Sequence, residues 1–194
     1  MSKIALSGDA NGTGTLTIAS PNTNSDRTLT LPDNTGTVIT TASTFAGTGP
    51  AFSAYASASQ SISNITFTKI QINTENFDTN SNFDPTTNYR FTPTVAGYYQ
   101  INGCVNGASS SVIRVVRAYI YKNGLLFKLG NFSDIGSGAT AAGSMSGSVH
   151  DLIYMNGTTD YLELYTWIQT NSGTLTAGGG DSLTYFSGFL ARAA

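Results

Sequence analysis

Two runs in this chain carry apolar side chains on both faces of what alternation marks as a β-strand. In Ser111-Val112-Ile113-Arg114-Val115-Val116-Arg117-Ala118-Tyr119-Ile120-Tyr121, one face collects Ile113, Val115, Tyr119 and Tyr121. The other collects Val112, Val116, Ala118 and Ile120. Tyr161-Leu162-Glu163-Leu164-Tyr165-Thr166-Trp167-Ile168 reads the same way. A two-sheet sandwich turns only one face of each strand into its core, so the second face needs another cover. This predicts subunit contact through Val112, Arg114, Val116, Arg117, Tyr119, Tyr121, Tyr161, Glu163, Tyr165 and Trp167. Three of these are charged, and an ion buried without a counter-charge costs several kcal/mol. Pairing of Arg114 or Arg117 with Glu163, within or between chains, is the expected remedy. The alternative is that these side chains reach solvent at the strand ends.

The rest of the composition suits a β protein with an uncharged skin. Of 194 residues, 40% are hydrophobic but only 10% charged, well under the roughly 25% of an ordinary soluble domain. Thr, Ser, Asn and Gly take the place of surface charge. A formal net charge of -2 offers no basic field for nucleic acid. The single cysteine, Cys104, precludes a disulfide framework within the chain and reads as a buried, inert thiol. No stretch approaches the ~20 apolar residues of a membrane helix. Residues 1–8 lack the apolar core of a secretion signal, so synthesis in a cytoplasm and no membrane partner are expected.

Residues 1–44 read as a separate β-arm. Short alternating stretches at 15–18, 27–31 and 37–40 are divided by Pro, Asn, Asp and Gly. Their apolar residues, Leu16, Ile18, Leu29, Leu31 and Val38, bury too little surface for the arm to fold alone. These five are its expected docking contacts. Residues 45–48 form a linker, and a larger domain spans 49–194. Its expected strands include 52–56, 65–72, 89–91 and 98–106, with a long surface loop over 73–88. Within Phe91-Thr92-Pro93-Thr94-Val95-Ala96-Gly97-Tyr98-Tyr99-Gln100-Ile101, Pro93 ends one strand because it cannot donate to a ladder. Gly97 then supplies the positive φ that a tight turn often needs. Gly178-Gly179-Gly180 reads as a flexible hairpin tip.

Sets of residues that carry chemistry are scarce. His150 is the only histidine, and neighbouring strand residues such as His150 and Asp151 point to opposite faces. Gly143-Ser144-Met145-Ser146-Gly147 has methionine where a nucleophile elbow needs serine. The oxygen-rich run Asp78-Thr79-Asn80-Ser81-Asn82-Phe83-Asp84 has Phe83 where a calcium loop needs glycine, and Tyr89 where its closing glutamate belongs. It reads as a polar loop. No catalytic residue, metal set or cofactor site is expected.

Four separated stretches together resemble the globular head of the complement C1q family. They are Gly49 to Tyr55 with Phe52; the corner with Phe91, Pro93, Gly97 and Tyr98; Lys122-Asn123-Gly124; and Phe186-Ser187-Gly188-Phe189-Leu190. Asn123, Gly124, Phe186, Gly188 and Phe189 complete the motif set. The resemblance implies an all-β, ten-strand jelly roll of the kind shared with tumour necrosis factor, assembled as a homotrimer. The family's collagen stalk is missing here. The arm, over about residues 8–41, resembles N-terminal segments of tailed-bacteriophage virion proteins through Gly-Thr-Leu-Thr, Arg-Thr-Leu-Thr-Leu-Pro-Asp and Gly-Thr-Val. Together the resemblances imply a non-enzymatic virion structural protein, made in the host cytoplasm and carried on the virion surface. Its arm would dock on the major capsid protein or another virion protein. Capsid decoration (cement) or a short head fibre is the leading placement. A tail-fibre tip that binds a host surface glycan or protein is the rival, and a secreted signalling or lectin ligand is a third class.

Overall fold

The computed structural model describes residues 49–135 and 143–194, together with residues 11–13, 17, 24–26 and 28 of the region before them. The chain divides into two units, Met1–Val38 and Ile39–Ala194. Leu16, Ile18, Leu29, Leu31 and Val38, the expected docking contacts of the arm, lie outside the described residues.

The described part of the second unit is all β. In chain order its strands are β1 (Ala51–Tyr55), β2 (Gln60–Ser61), β3 (Thr68–Lys69), β4 (Thr74–Asp78), β5 (Phe83–Asp84) and β6 (Arg90–Phe91). Then follow β7 (Gly97–Ser109), β8 (Ile113–Lys122), β9 (Leu125–Asp134), β10 (Ser144–Met155), β11 (Leu162–Thr170), β12 (Leu175–Ala177) and β13 (Tyr185–Ala193). Ten of them form one hydrogen-bonded path, β4-β1-β13-β7-β10-β9-β8-β11-β6-β5. Among the described residues, only the bridge between Ser148 and Asn131 joins β10 to β9. The path therefore works as two five-stranded layers, the jelly roll expected from the sequence. Strands β2, β3 and β12 are short additions beside β12, β11 and β7.

Alternation fills the space between the layers. Tyr99, Ile101 and Val105 of β7 and Val149, Ile153 and Met155 of β10 meet Ala118 and Ile120 of β8 and Leu162 and Leu164 of β11. At one end Phe52 stacks on Phe91 with centroids 4.3 Å apart and on Phe83 at 5.0 Å. Phe186 meets Phe52 edge-on at 5.3 Å, as Tyr99 meets Phe91 at 5.5 Å. Burial pushes the Tyr99 phenol up to about 12, and its hydroxyl donates to the Val95 carbonyl at 2.8 Å. Three of the four sequence motifs thus meet in one aromatic cluster. The fourth, Asn123-Gly124, makes the β8–β9 turn with both residues at positive φ, 54° and 78°.

Several sequence expectations are corrected. Gly97 does not adopt positive φ; glycine is required there because a Cβ would stand 2.5 Å from the Arg192 carbonyl oxygen. Gly188 is constrained similarly, since a Cβ would meet Ile101 at 2.5 Å and Phe52 at 3.1 Å. Residues 65–72 are not a continuous strand. Ile65 takes φ 56°, only Thr68–Lys69 pair regularly with β11, and Ile70 and Ile72 alone turn into the core. The expected loop over 73–88 contains β4, paired with β1, and β5, paired with β6. Gly178-Gly179-Gly180 is no free tip: Gly178 N–H donates to the Asn106 carbonyl at 2.7 Å, and Gly179 packs on Ala58.

Truncating Phe52 would empty the centre of the aromatic cluster. Phe52→Ala is expected to lower unfolding stability by about 3–5 kcal/mol. Urea denaturation followed by circular dichroism checks this, with the exposed Phe77→Ala as the near-neutral comparison.

Candidate interaction surfaces

Three surfaces carry the residues of interest, and the first is the outer face of the β8–β11 layer. Apolar alternation marks it as a face needing cover, and the chain itself supplies part of that cover. Phe67 lies edge-on to Tyr119 at 5.1 Å, leaving Tyr119 almost fully buried. Tyr121 and Tyr165 stack at 3.9 Å, and Arg90 lies 4.4 Å over the Tyr161 ring. Glu163, only 5% exposed, pairs with Lys69 at 2.9 Å rather than with an arginine. Lys69 also donates to the Asn88 carbonyl at 2.9 Å. Val116 does not belong to this face, because it packs between the layers with Ile113, Ile168 and Leu175. Val112 is half-buried beside the Asn171 amide, which donates to its carbonyl. The chain's own residues thus cover part of this face, while Tyr121, Tyr161 and Tyr165 stay half-buried on it. Arg114, Arg117 and Trp167 remain partly exposed on it.

The second surface is the outer face of the β4-β1-β13-β7-β10 layer. Register places His150, Asn102, Ser187, Ser53 and Phe77 in one row across five strands. Leu152, Gln100 and Phe189 form the next row, and Tyr154, Tyr98 and Arg192 the one after. Phe77, Tyr98, Leu152, Tyr154 and Phe189 are all exposed. A depression of about 460 Å³ opens between Tyr98, Leu152 and residues 191–194, and a second of about 270 Å³ opens beside Phe77 and Phe189. His150 faces solvent, while Asp151 turns aside to Lys128 at 3.1 Å. Cys104 sits half-buried on this face opposite Tyr185, and burial pushes its thiol up.

The third surface is β9, which the sequence reading did not single out. Leu125, 73% exposed, leads Leu126, Phe127 and Leu129, all exposed. The signal was present in the sequence: an Asn-Gly dipeptide followed by Leu-Leu-Phe-Lys-Leu is a hairpin turn opening an apolar strand. A charged network fixes the base of this hairpin. Lys122 pairs with Asp160 at 2.9 Å, Asn123 Nδ2 donates to Asp160 Oδ1 at 2.8 Å, and Tyr161 N–H donates to Asn123 Oδ1 at 2.9 Å. In the polar loop, Asp78 uses its carboxylate oxygens to accept the Asn80 and Phe83 amides. Asp84 is held well below the usual carboxylate range by the amides of Thr87 and Thr86.

With this geometry in view, the chain can be compared with known proteins. No protein-family model matches it, and no curated protein does. Solved structures do share its fold. The tumour necrosis factor Eiger of S. frugiperda superposes with a TM-score of 0.57 at 9% identity, over 75% of this chain and 95% of that one. Murine APRIL at pH 8.0 gives 0.51 at 8% identity, over 72% and 96%. The globular domain of zebrafish complement 1qA gives 0.47 at 16% identity, over 75% and 99%. The described head is therefore a jelly roll of the tumour necrosis factor type.

Asp160 supplies the testable electrostatics of the hairpin base. Burial raises its pKa, but hydrogen bonds from Asn123, Lys122 and the Asn156 amide outweigh this and hold it below the ordinary 3.8. A carboxyl depressed on folding stabilises above its unfolded pKa and loses that contribution as pH falls through the folded one. Asp160→Asn is expected to cost about 1.5–3 kcal/mol at pH 7. Thermal melts should show the gap from the parent protein closing as pH drops below about 4.

Proposed function

We propose that this chain is a non-enzymatic virion structural protein of a tailed bacteriophage that works as a homotrimer, with its arm docked on the particle and its jelly-roll head projecting. The observation that carries the assembly step is a mismatch in burial. One protomer leaves two dissimilar apolar surfaces bare: the β9 edge with Leu125, Phe127 and Leu129, and the opposite layer's face with Tyr98, Leu152 and Phe189. Dissimilar surfaces that cover each other make a head-to-tail contact, which stays finite only if it closes into a ring. Three is the number implied by the resemblance to C1q heads. The depression beside Tyr98 and Leu152 is of a size to receive an apolar side chain from a neighbouring β9.

The virion placement is supported by the sequence of the arm and by the uncharged Thr/Ser/Asn-rich surface. An arm with so few apolar side chains gains stability only when docked, so attachment and ordering are coupled. Decoration of the capsid, through the major capsid protein or another virion protein, is the placement this reading favours. The mechanism is assembly, and the site of action is the virion surface.

Phe189 and Leu129 are exposed, so changing them leaves the protomer core intact. Phe189→Asp and Leu129→Asp are each expected to convert the trimer to monomers in native mass spectrometry, with the circular dichroism spectrum unchanged. A trimer that survives both rejects this pair of surfaces. Placement is tested by quantitative mass spectrometry of purified particles. Hundreds of copies in fixed ratio to the shell subunit are expected for decoration. A small multiple of three would move the protein to the tail and favour host recognition, and absence from particles would reject the virion reading.

A further inference from the structure

We propose that Arg114 and Arg117, on the outer face of the β8–β11 layer, form a binding site for an acidic polysaccharide, with the Arg117 guanidinium receiving a sugar carboxylate. β8 carries an irregularity in its pairing with β11. Ile113 and Val116 both enter the inner cluster with Ile168 and Leu175, although three positions separate them. Pairing with β11 shifts at the same place, from Val115 opposite Gln169 to Ile113 opposite Thr170. Arg114 is therefore the extra residue of a bulge, and it joins Val115 and Arg117 on the outer face. Without the bulge, alternation would send Arg114 and Arg117 to opposite faces.

The Arg117 guanidinium is held by rings, and neither arginine takes part in the ion pairs of the described residues. Arg117 lies between two rings, with its Cζ 4.8 Å from the Phe132 centroid and 5.1 Å from that of Trp167. Both rings come from residues directly opposite Arg117 on the flanking strands. The Nε atoms of Arg114 and Arg117 are buried with no hydrogen-bond partner. Among the described residues, the three ion pairs use Lys69, Lys122 and Lys128, and neither arginine. Glu163, the acid on the same face of β11, is already engaged by Lys69. Asp134 stands opposite Val115, which leaves this end of the face with one excess positive charge. A guanidinium pinned between aromatic planes has lost little more freedom to lose on binding, and its planar fork matches a carboxylate with two parallel hydrogen bonds.

The surroundings favour a sugar over a bare anion. Phe132 is 48% exposed and Trp167 partly so, giving apolar surface beside the cation for the C–H face of a pyranose. Arg114 lies roughly 7–10 Å along the strand from Arg117, so a chain bearing repeated carboxylates can engage both. The site is built within one protomer and holds whether the protein decorates a capsid or tips a tail fibre.

Trp167 is the only tryptophan in the chain, so its fluorescence reports directly on this site. The full chain would be titrated with a hexameric oligogalacturonate, with its carboxyl-reduced counterpart, and with a polyglutamate of equal charge. Saturable quenching or shift is expected with the oligogalacturonate, and none with the reduced sugar. Arg117→Lys keeps the charge but loses the fork, and should weaken binding at least ten-fold with melting temperature and oligomeric state unchanged. Arg114→Gln, whose side chain adds nothing to the inner core, should weaken it several-fold and serves if the first variant misfolds. Equal binding by both variants, or no saturable signal, overturns the site. Polyglutamate binding as tightly as the sugar overturns the saccharide reading in favour of a protein carboxylate.

Discussion

The contact on which the head most depends is the stack of Phe52 between Phe83 and Phe91, closed from the side by Phe186. These rings belong to β1, β5, β6 and β13, which sit at or near the outer ends of the two layers. The long strands β7, β8, β10 and β11 need no such help, because each has neighbours along most of its length. The short ones do. A two-residue strand such as β5 or β6 contributes almost no ladder of its own, so its place is fixed by the ring it inserts. Gly188 makes the arrangement possible, because any Cβ there would collide with Ile101 and crowd Phe52.

This explains which parts of the fold were legible in the sequence. Phe52, Phe91 and Phe186 were readable because their positions within the motifs are set by a contact that tolerates few alternatives. Asn123-Gly124 was readable because only a few residues accept two consecutive positive φ values. Residues 65–72 were misread because alternation of Ile70 and Ile72 reports burial, and burial does not require a paired backbone. Positive φ at Ile65, a β-branched residue, carries no signal in composition or period. β4 was missed within 73–88 because its side chains are mostly polar and exposed, which is how an edge strand next to solvent looks.

The outer face of β8 and β11 combines apolar residues with three charged ones, Arg114, Arg117 and Glu163. Its apolar residues were read correctly as needing cover, yet periodicity does not say which segment provides it. A stretch distant in sequence, with Phe67 and Lys69, lies across the face and turns Tyr119 and Glu163 into interior residues. The bulge at Arg114 was equally invisible, since strict alternation gave Val112 and Val116 one face and Arg114 and Arg117 different ones. The protomer leaves apolar surface bare on β9 and on the face with Phe189.

These surfaces differ in their chemistry. β9 and the Phe189 face are apolar and nearly free of charge at their centres, so their natural partner is another apolar surface. Asp151, on β10, is paired with Lys128 of β9. The arginine-bearing end of the β8–β11 face is different in kind, because aromatic rings hold Arg117 in place without cancelling its charge. In a protein where only 10% of residues are charged, and where three of the lysines are paired, two cations on a rigid sheet form a localised positive feature. Phe132 and Leu129 both lie on β9, opposite Arg117 and Tyr119 of that same face.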